Sequence, residues 1–332
     1  MQRLIRAYFA NMGLLFPYIH EQEFLETYHG FRASGFRTNV RRTWLGLLNM
    51  ILAMATCTSC WEDSGSELHF EQSDVYYRRA QELCQMQMLR GTTLETVQYL
   101  LLTSQYLQGT HKSIHTWTIH GLAVKAAMSI GLHSKDIASK FSPLQQEIRK
   151  RTWFGCILII PIQIKDHSRP RIISRTPRAS IILTGCYRSL SMTFGRPCAI
   201  PEEYIRLDIP QPLPPCDSVP EEVQQLILAF YNASILLYRI MGRIIVTLYG
   251  SNLGCDDQTS DTATMTSIIQ FGQELADWQG SLPMQLGLCN VSELPQDAET
   301  QNSIIERFRV ILTLRYLNVQ LLLHRPIFIR SL

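Results

Sequence analysis

We predict an all-α protein from three features of the 332-residue sequence. Apolar residues recur at intervals of three and four residues over long stretches, which is the spacing of one helix face. Capping residues, glycines and prolines stand at the ends of these stretches. No run of alternating apolar and polar residues indicates a set of strands. The hydrophobic fraction of 46% and the charged fraction of 18% are typical of a globular protein with a large core.

The centre of the fold is predicted to be a pair of helices joined by a short turn. Thr92 and Glu95 form a capping box at the start of the first helix. Gly109 is expected to end that helix in the left-handed conformation. Gly121 lies on the apolar face of the second helix, where glycine indicates a close neighbouring backbone. Gly131 is expected to end the second helix. Both helices are apolar over more than one narrow stripe, so we expect them to be buried.

Four helices are predicted before this central pair. The first covers residues 2–12 and ends near Pro17, and the second follows the turn at residues 16–20. Loops are expected at residues 30–35 and 62–66. The apolar residues of the second, third and fourth helices are, in that order, Phe24, Leu25 and Tyr28; Trp44, Leu48, Ile51 and Ala55; and Val75, Ala80, Leu83 and Met86.

Four more helices are predicted after the pair. Ser142 is expected to cap a helix that begins at Pro143. Residues 223–248 form a long apolar helix, but its two central arginines would each cost about 2.5–3.5 kcal/mol in a membrane. We therefore interpret it as a buried amphipathic helix. A further helix covers residues 265–278. The last covers about 302–324 and is expected to end at His324-Arg325-Pro326.

Residues 161–186 differ from the rest of the chain in composition. They contain three prolines, no helical period, and five basic residues against one acidic residue. The net charge of this segment is therefore +4, whereas the whole chain carries +3. We interpret the segment as a loop exposed to solvent. The alternatives are a surface that contacts DNA and a nuclear import signal.

The nine cysteines do not indicate a disulfide framework, because they are odd in number and lie mostly in apolar runs. We expect reduced thiols in an intracellular protein. Cys57 and Cys60 have the spacing of half a zinc or redox site. A structural zinc needs four ligands, and no second close cysteine pair is present. The preferred interpretation is a pair of thiols near a helix end.

Two other groups of residues could bind metal. His111, His115 and His120 are close in sequence, but they form no HExxH pattern, so a surface or turn position is preferred. Residues 256–261 read DDQTSD, which is similar to the aspartate-rich magnesium motif of all-α terpene synthases. No second metal motif follows it, so we expect a solvated loop in which Asp261 caps the next helix. We predict no catalytic, cofactor-binding or metal-binding residue.

A series of short motifs runs through the whole chain in a fixed order. They are Tyr8-Phe9, Phe16-Pro17-Tyr18-Ile19-His20, Phe24, Leu94-Glu95-Thr96-Val97-Gln98, Trp117, Gly121-Leu122-Ala123, Gly131-Leu132-His133, Arg149 to Trp153, Arg188-Ser189-Leu190-Ser191, Gly195-Arg196-Pro197, Ile200-Pro201, Leu275, Trp278, Leu282-Pro283 and His324-Arg325-Pro326. Each motif is weak alone. Together they resemble the fungal-specific transcription factor domain, the middle regulatory region of binuclear zinc-cluster transcription factors, over residues 1–332.

This resemblance implies an all-α regulatory domain in the nucleus that controls RNA polymerase II transcription and has no catalytic residues. The six-cysteine zinc cluster of the family is absent, so DNA and zinc binding are expected only from a module that this chain lacks. We expect the chain to be incomplete at its C-terminus. The implied partners are DNA through that module, a second copy of the chain, and a co-regulator or small-molecule effector, but not a membrane. Arg196 is expected to fix a turn.

The chain departs from the family pattern at residues 159–186. The family continues from the helix of Trp153 almost directly to an Asp-Arg pair, whereas here an insertion intervenes and Tyr187 precedes Arg188. We hypothesise that the insertion is a retained intron translated in frame. Sequencing of the mature transcript tests this, and a dominant spliced message that keeps the insertion would reject it.

Two other classes of function stay open from the residues. One is an all-α, metal-dependent enzyme of terpene-synthase type, with its metal site around residues 256–261. The other is a co-regulator without a zinc cluster that acts by dimerisation.

Overall fold

A computed structural model describes residues 1–59, 66–85, 91–110, 115–158, 200, 204–213, 219–250, 260–290 and 304–330. These residues form eleven α-helices and one short 3-10 helix, and they contain no strand. The all-α prediction is therefore confirmed.

The helices have the following bounds. They are α1 (Gln2–Leu15), α2 (Glu21–Ala33), α3 (Arg42–Ser59), α4 (Ser66–Cys84), α5 (Leu94–Gly109), α6 (Thr116–Ser129), α7 (Lys135–Ala138), α8 (Pro143–Leu158), α9 (Glu221–Tyr249), α10 (Asp261–Gly280), the 3-10 helix (Met284–Leu286) and α11 (Ile304–Arg330).

The chain divides into two compact units. The first consists of Met1–Ile159 and Arg206–Tyr231, and the described residues from Asn232 onward belong to the second. The division falls within α9. The predicted organisation, one regulatory domain over residues 1–332 with an insertion at 159–186, stays a prediction, and the insertion lies outside the described residues.

In the first unit, α3 packs on α4, α5 and α1, and α5 also packs on α6 and α8. Every residue of α5 from Thr96 to Leu107 is buried, which confirms the central position predicted for this helix. Helix α6 is less enclosed, because Leu122 is exposed. An aromatic cluster joins α1, α2 and α3, in which the ring of Phe24 lies 5.8 Å from that of Phe9 and 5.3 Å from that of Trp44.

The capping residue of α5 is Thr93, and the predicted Thr92–Glu95 box is wrong. The Thr93 side chain accepts a hydrogen bond from the amide of Thr96, and the Thr96 hydroxyl accepts one from the amide of Thr93. Glu95 instead binds the start of α3. It accepts a 2.7 Å hydrogen bond from Thr43 and lies 3.5 Å from the guanidinium of Arg41.

The glycines of the central pair have roles that differ from the prediction in two of three cases. Gly131 has φ +69 and ends α6 in a Schellman motif, with Leu132 donating to the carbonyl of Ala127. Gly109 is the last residue of α5 and is not left-handed. No atom would lie within 4 Å of a Cβ at Gly121. The close approach occurs instead at Gly46, where a Cβ would lie 2.1 Å from the Cys84 sulfur.

Other helix starts are closer to expectation. Ser142 caps α8, because its hydroxyl accepts a hydrogen bond from the amide of Gln145 at 3.3 Å. The residue that caps α10 is Ser260, which accepts from the amide of Ala263. The prediction that Asp261 is the cap is therefore wrong by one position. Asp261 lies in the first turn of α10, where its negative charge interacts favourably with the positive end of the helix dipole.

In the second unit, α10 packs on α11, and both form hydrogen bonds with the part of α9 that follows Tyr231. The indole of Trp278 donates a 2.9 Å hydrogen bond to the carbonyl of Ala233 and stacks on Tyr316. Arg315 donates to the Ser234 hydroxyl. Among the described helices, only α9 is long and apolar enough to cross a membrane, and 61% of its apolar window is buried within the fold. This burial is typical of a core helix.

Helix α11 does not end at Pro326, as predicted, but continues to Arg330. Proline lacks an amide hydrogen, so the carbonyl four residues earlier loses its helical donor. That carbonyl belongs to Leu322, and the hydroxyl of Tyr249 donates a 2.6 Å hydrogen bond to it. A side chain of α9 thus replaces the donor that the proline removes.

Candidate functional site: the polar network of helix α8

Helix α8 is unusual because it buries charged and polar residues together with apolar ones. All its residues from Glu147 to Leu158 are buried except Lys150. Buried polar groups are costly unless they are hydrogen-bonded. The contacts of this helix therefore identify the segments that the first unit must hold in place.

A buried ion pair joins α8 to residues 206–213. The carboxylate of Glu147 accepts hydrogen bonds from Arg151 at 3.2 Å and from the backbone amide of Gln211 at 2.9 Å. Arg151 also donates to the carbonyl of Gln211 at 2.8 Å. The two charged side chains are only 9% and 7% exposed. Burial lowers the pKa of Arg151 and Glu147 opposes this effect, so the guanidinium keeps its charge.

A second set of contacts joins α8 to α5 and to the turn before α2. The amide of Gln98 donates to the carbonyl of Tyr18 at 2.7 Å, and Thr152 donates to the same carbonyl at 3.4 Å. The Tyr18 hydroxyl donates to Gln105 at 3.2 Å. Burial raises the pKa of Tyr18, so it stays a neutral donor. Glycine at position 155 lets the Tyr18 ring lie close to α8, because a Cβ added there would be only 3.0 Å from the ring.

Three further contacts join α8 to α6 and α9. Arg149 donates to the carbonyl of Ile130 at the end of α6, at 2.7 Å. His120 of α6 lies with Nε2 2.9 Å from the carbonyl of Cys156. Tyr231 donates to the carbonyl of Arg151 at 2.8 Å. Helix α8 thus holds five other segments of the first unit through its polar groups.

The chemistry of this network is structural and does not resemble a catalytic site. Burial lowers the pKa of His120 to about 4, so its imidazole is neutral at pH 7. Burial also raises the pKa of the Cys156 thiol, which makes it a poor nucleophile. No group of three metal-binding side chains occurs among the described residues.

The structure separates the histidines and cysteines considered as metal ligands. His115 is exposed before α6, whereas His120 is buried, so the surface position predicted for His120 is wrong. Its burial follows from the contact with the Cys156 carbonyl, 36 residues away. Cys57 is a half-buried thiol near the end of α3. His111 and Cys60 lie outside the described residues.

Several other predicted positions also lie outside the described residues. These are residues 161–186, the turn around Arg196, and Asp256 and Asp257. The predictions that concern them stay predictions.

The motif residues of the first unit that carried the family resemblance lie mostly in its core. Tyr8, Phe9, Phe16, Tyr18 and Phe24 are all at most 6% exposed. Sequence reasoning missed Glu147, Gln98 and Gln211 as the polar partners of this core. A usable signal was the spacing of Gln98 and Gln105, which are seven residues apart and therefore lie on the same face of the predicted helix.

The comparisons with known proteins agree with the family resemblance of these motifs. Residues 5–158, which extend from α1 to the end of α8, match the family model described as the fungal specific transcription factor domain. The chain contains a fungal-specific transcription factor domain. Residues 5–158 thus form a regulatory domain of the fungal transcription factor type, as the motifs predicted.

The curated relatives are named as transcription factors. The chain is 35% identical to "Transcription factor FBD3" of Fusarium pseudograminearum and 33% identical to the protein of that name from Gibberella moniliformis, in each case over 98% of this chain and 39% of the relative. It is 26% identical to "Zn(2)-C6 fungal-type transcription factor pigI" of Monascus ruber, over 98% of this chain and 36% of that protein. No solved structure matches.

The chain spans about two fifths of the length of the two FBD3 relatives. The family and these names point to a protein that is not an enzyme.

Proposed function

We propose that this domain controls transcription by RNA polymerase II in the nucleus, as the regulatory part of a zinc-cluster transcription factor. DNA and zinc binding are assigned to a module outside the 332 residues. The name of the Monascus ruber relative, which contains Zn(2)-C6, supports a zinc cluster in proteins of this kind.

The observation that carries the proposal is the coincidence of the family match with the polar network. The match covers residues 5–158, and the network joins α5, α6 and the turn before α2 to α8 within that range. A network of this kind fixes the relative positions of helices. It suits a domain that responds to a partner or effector at its surface through packed helices.

A reporter experiment tests this proposal. The chain is placed between a heterologous DNA-binding module and an activation segment, and expressed in a fungal cell with a reporter under the matching sites. We expect the inserted chain to change reporter output relative to the fusion without it. Glu147→Ala breaks the polar network, and with this substitution the reporter output should return towards that of the fusion without the chain. Lys135→Ala, at the exposed Lys135–Asp208 pair, is the matched control.

Dimerisation is a second candidate, proposed for a co-regulator without a zinc cluster. Sedimentation velocity of the purified chain tests it, and a monomer at all concentrations would contradict it. A co-regulator protein or small-molecule effector is proposed as the other partner.

The metal-dependent enzyme is not favoured by the comparisons, because the relatives are named as transcription factors. Calorimetry with Mg²⁺ and Mn²⁺ tests it directly, with Asp257→Asn as the control variant. If the chain is a regulatory domain, we expect the heats measured with either metal to be the same for the original chain and for Asp257→Asn.

A further inference from the structure

One end of the first unit carries a concentration of arginines. There the N-termini of α1 and α3 meet the C-terminus of α2. Arg32 of α2 donates a 2.8 Å hydrogen bond to Gln2 of α1, and the ring of Phe31 lies 6.0 Å from that of Trp44 in α3. The arginine face consists of Arg3, Arg32, Arg37, Arg41 and Arg42, all of which are exposed.

The positive charge of the arginine face is largely uncompensated. Within the described part of the chain, one of these five arginines forms an ion pair. The guanidinium of Arg41 lies 3.5 Å from the carboxylate of Glu95. The Arg41 side chain is nevertheless 73% exposed. Neither α1 nor α3 has an acidic residue in its first turn. Because a helix N-terminus is itself partly positive, the arginines at the starts of α1 and α3 add to the positive potential there.

An aromatic ring lies within the same face. Phe36 follows Gly35 in the loop between α2 and α3, and its backbone is left-handed with φ +64. This conformation is unfavourable for a residue with a large side chain. The Phe36 ring remains 50% exposed. Phe36 stands directly before Arg37 in the chain.

The loop that carries Phe36 is held in place by several contacts. The amide of Phe36 donates to the carbonyl of Phe31 at 3.0 Å, and the two rings meet edge to face at 5.1 Å. The amide of Thr38 donates to the Ser34 hydroxyl at 3.1 Å. The Phe36 ring is therefore positioned before any partner binds, which lowers the entropy cost of association.

We propose that the arginine face binds an acidic protein segment that contains aromatic or aliphatic residues. Arginine forks bind carboxylates with two parallel hydrogen bonds. The exposed face of Phe36 supplies an apolar contact between these charges. This inference goes beyond the regulatory function proposed above and does not depend on it.

Duplex DNA is the other anionic partner to consider, and the structure favours it less. Phosphates would satisfy the arginines, but contact with the backbone of a duplex leaves the Phe36 ring without an apolar partner. An acidic segment with apolar side chains satisfies both features of the face.

The test is fluorescence anisotropy with the full 332-residue chain and a labelled synthetic peptide of aspartates and glutamates interspersed with phenylalanines and leucines. We expect saturable binding that weakens as salt rises. Reversing two charges with Arg37→Glu and Arg42→Glu should weaken binding roughly tenfold or more, since each exposed pair contributes modestly. The control Arg79→Glu with Lys125→Glu makes the same change in net charge on α4 and α6 and should leave the affinity unchanged.

The contribution of Phe36 is tested separately. Phe36→Ala should weaken binding of this peptide but not of a second peptide in which serines replace the phenylalanines and leucines. Circular dichroism confirms that each variant is folded. The proposal is overturned if the peptide does not bind at low salt or if the control double variant weakens binding equally. A labelled short duplex DNA is the competing ligand. The proposal is also rejected if this duplex binds more tightly than the peptide and the double variant Arg37→Glu with Arg42→Glu abolishes that binding.

Discussion

The buried imidazole of His120 links the stability of the first unit to pH. His120 lies among His111 and His115 but is fully buried against α8, with its imidazole beside the Cys156 carbonyl. Burial lowers its pKa from 6.5 to about 4. The unfolded chain therefore binds a proton at a higher pH than the folded protein does.

This difference predicts a loss of stability in acid. Between pH 6.5 and 4 the unfolded state binds more protons, so the free energy of unfolding falls as the pH falls. The loss between pH 7 and pH 5 should be about 2 kcal/mol from His120 alone. Urea unfolding at the two pH values measures it. His20, whose pKa burial also lowers, contributes with the same sign, so the comparison is with His120→Gln. An unchanged pH dependence in that variant would contradict the account.

Gly121 within α6 and Gly131 just after its end provide a matched pair of substitutions. At Gly131 the backbone is left-handed, and a Cβ would lie 2.2 Å from the side chain of Ile137. Gly131→Ala should therefore destabilise the fold by about 1–2 kcal/mol. Gly121 is inside the helix with open space around it, so Gly121→Ala should stabilise by up to about 1 kcal/mol. Chemical denaturation measures the change in the free energy of unfolding for both variants. Changes of the same sign would contradict the left-handed role of Gly131 and the open helical position of Gly121.

At the scale of the helix, the most informative element is α11, which passes through Pro326. The hydroxyl of Tyr249 donates to the Leu322 carbonyl, which the proline leaves without its helical donor. Burial raises the pKa of Tyr249 to about 12, so the hydroxyl keeps its proton at pH 7.

A double-mutant cycle tests this replacement of the donor. Tyr249→Phe should cost about 1 kcal/mol, because it removes one hydrogen bond to a partly buried carbonyl. Pro326→Ala restores a backbone amide to the helix, so Tyr249→Phe should cost less in that background. The free energies of unfolding of the four proteins give the coupling. Additive effects would show that the tyrosine does not compensate for the proline.

Helix positions could be predicted from the sequence because apolar spacing is local information. The starts of α8 and α9 and the burial of α5 follow from residues within each segment. The predicted start of α5 is wrong by one residue, because Thr92 and Thr93 can both cap a helix. Glu95 does not complete a capping box, since its carboxylate accepts a hydrogen bond from Thr43 of α3. The continuation through Pro326 could not be predicted, because its hydrogen-bond donor lies 73 residues away.

The candidate site was less predictable than the helices for the same reason. Arg149 to Trp153 stood out as a motif, but their partners Gln98, Tyr18 and Gln211 are distant in sequence. Whether a basic run is exposed or buried depends on those partners. Here Arg149 and Arg151 are buried against the carbonyls of Ile130 and Gln211, whereas Lys150 is only half-buried.

At the scale of the whole molecule, the polar network of α8 should determine the stability of the first unit. Glu147→Ala leaves the buried guanidinium of Arg151 without its carboxylate, and removal of one partner of a buried pair typically costs about 3–5 kcal/mol. Lys135→Ala removes the exposed pair with Asp208 and should cost less than about 1 kcal/mol. Thermal unfolding of both variants measures the difference. Similar losses would show that the network is not a main source of stability.

The regulatory function proposed for this chain is control of the output of a transcription factor. The most direct measurement is the reporter output of a fusion in which the chain separates a heterologous DNA-binding module from an activation segment. We expect that inserting the chain changes the output and that Glu147→Ala, but not Lys135→Ala, largely removes the change at equal protein levels. An output that is the same with and without the chain would contradict the claim.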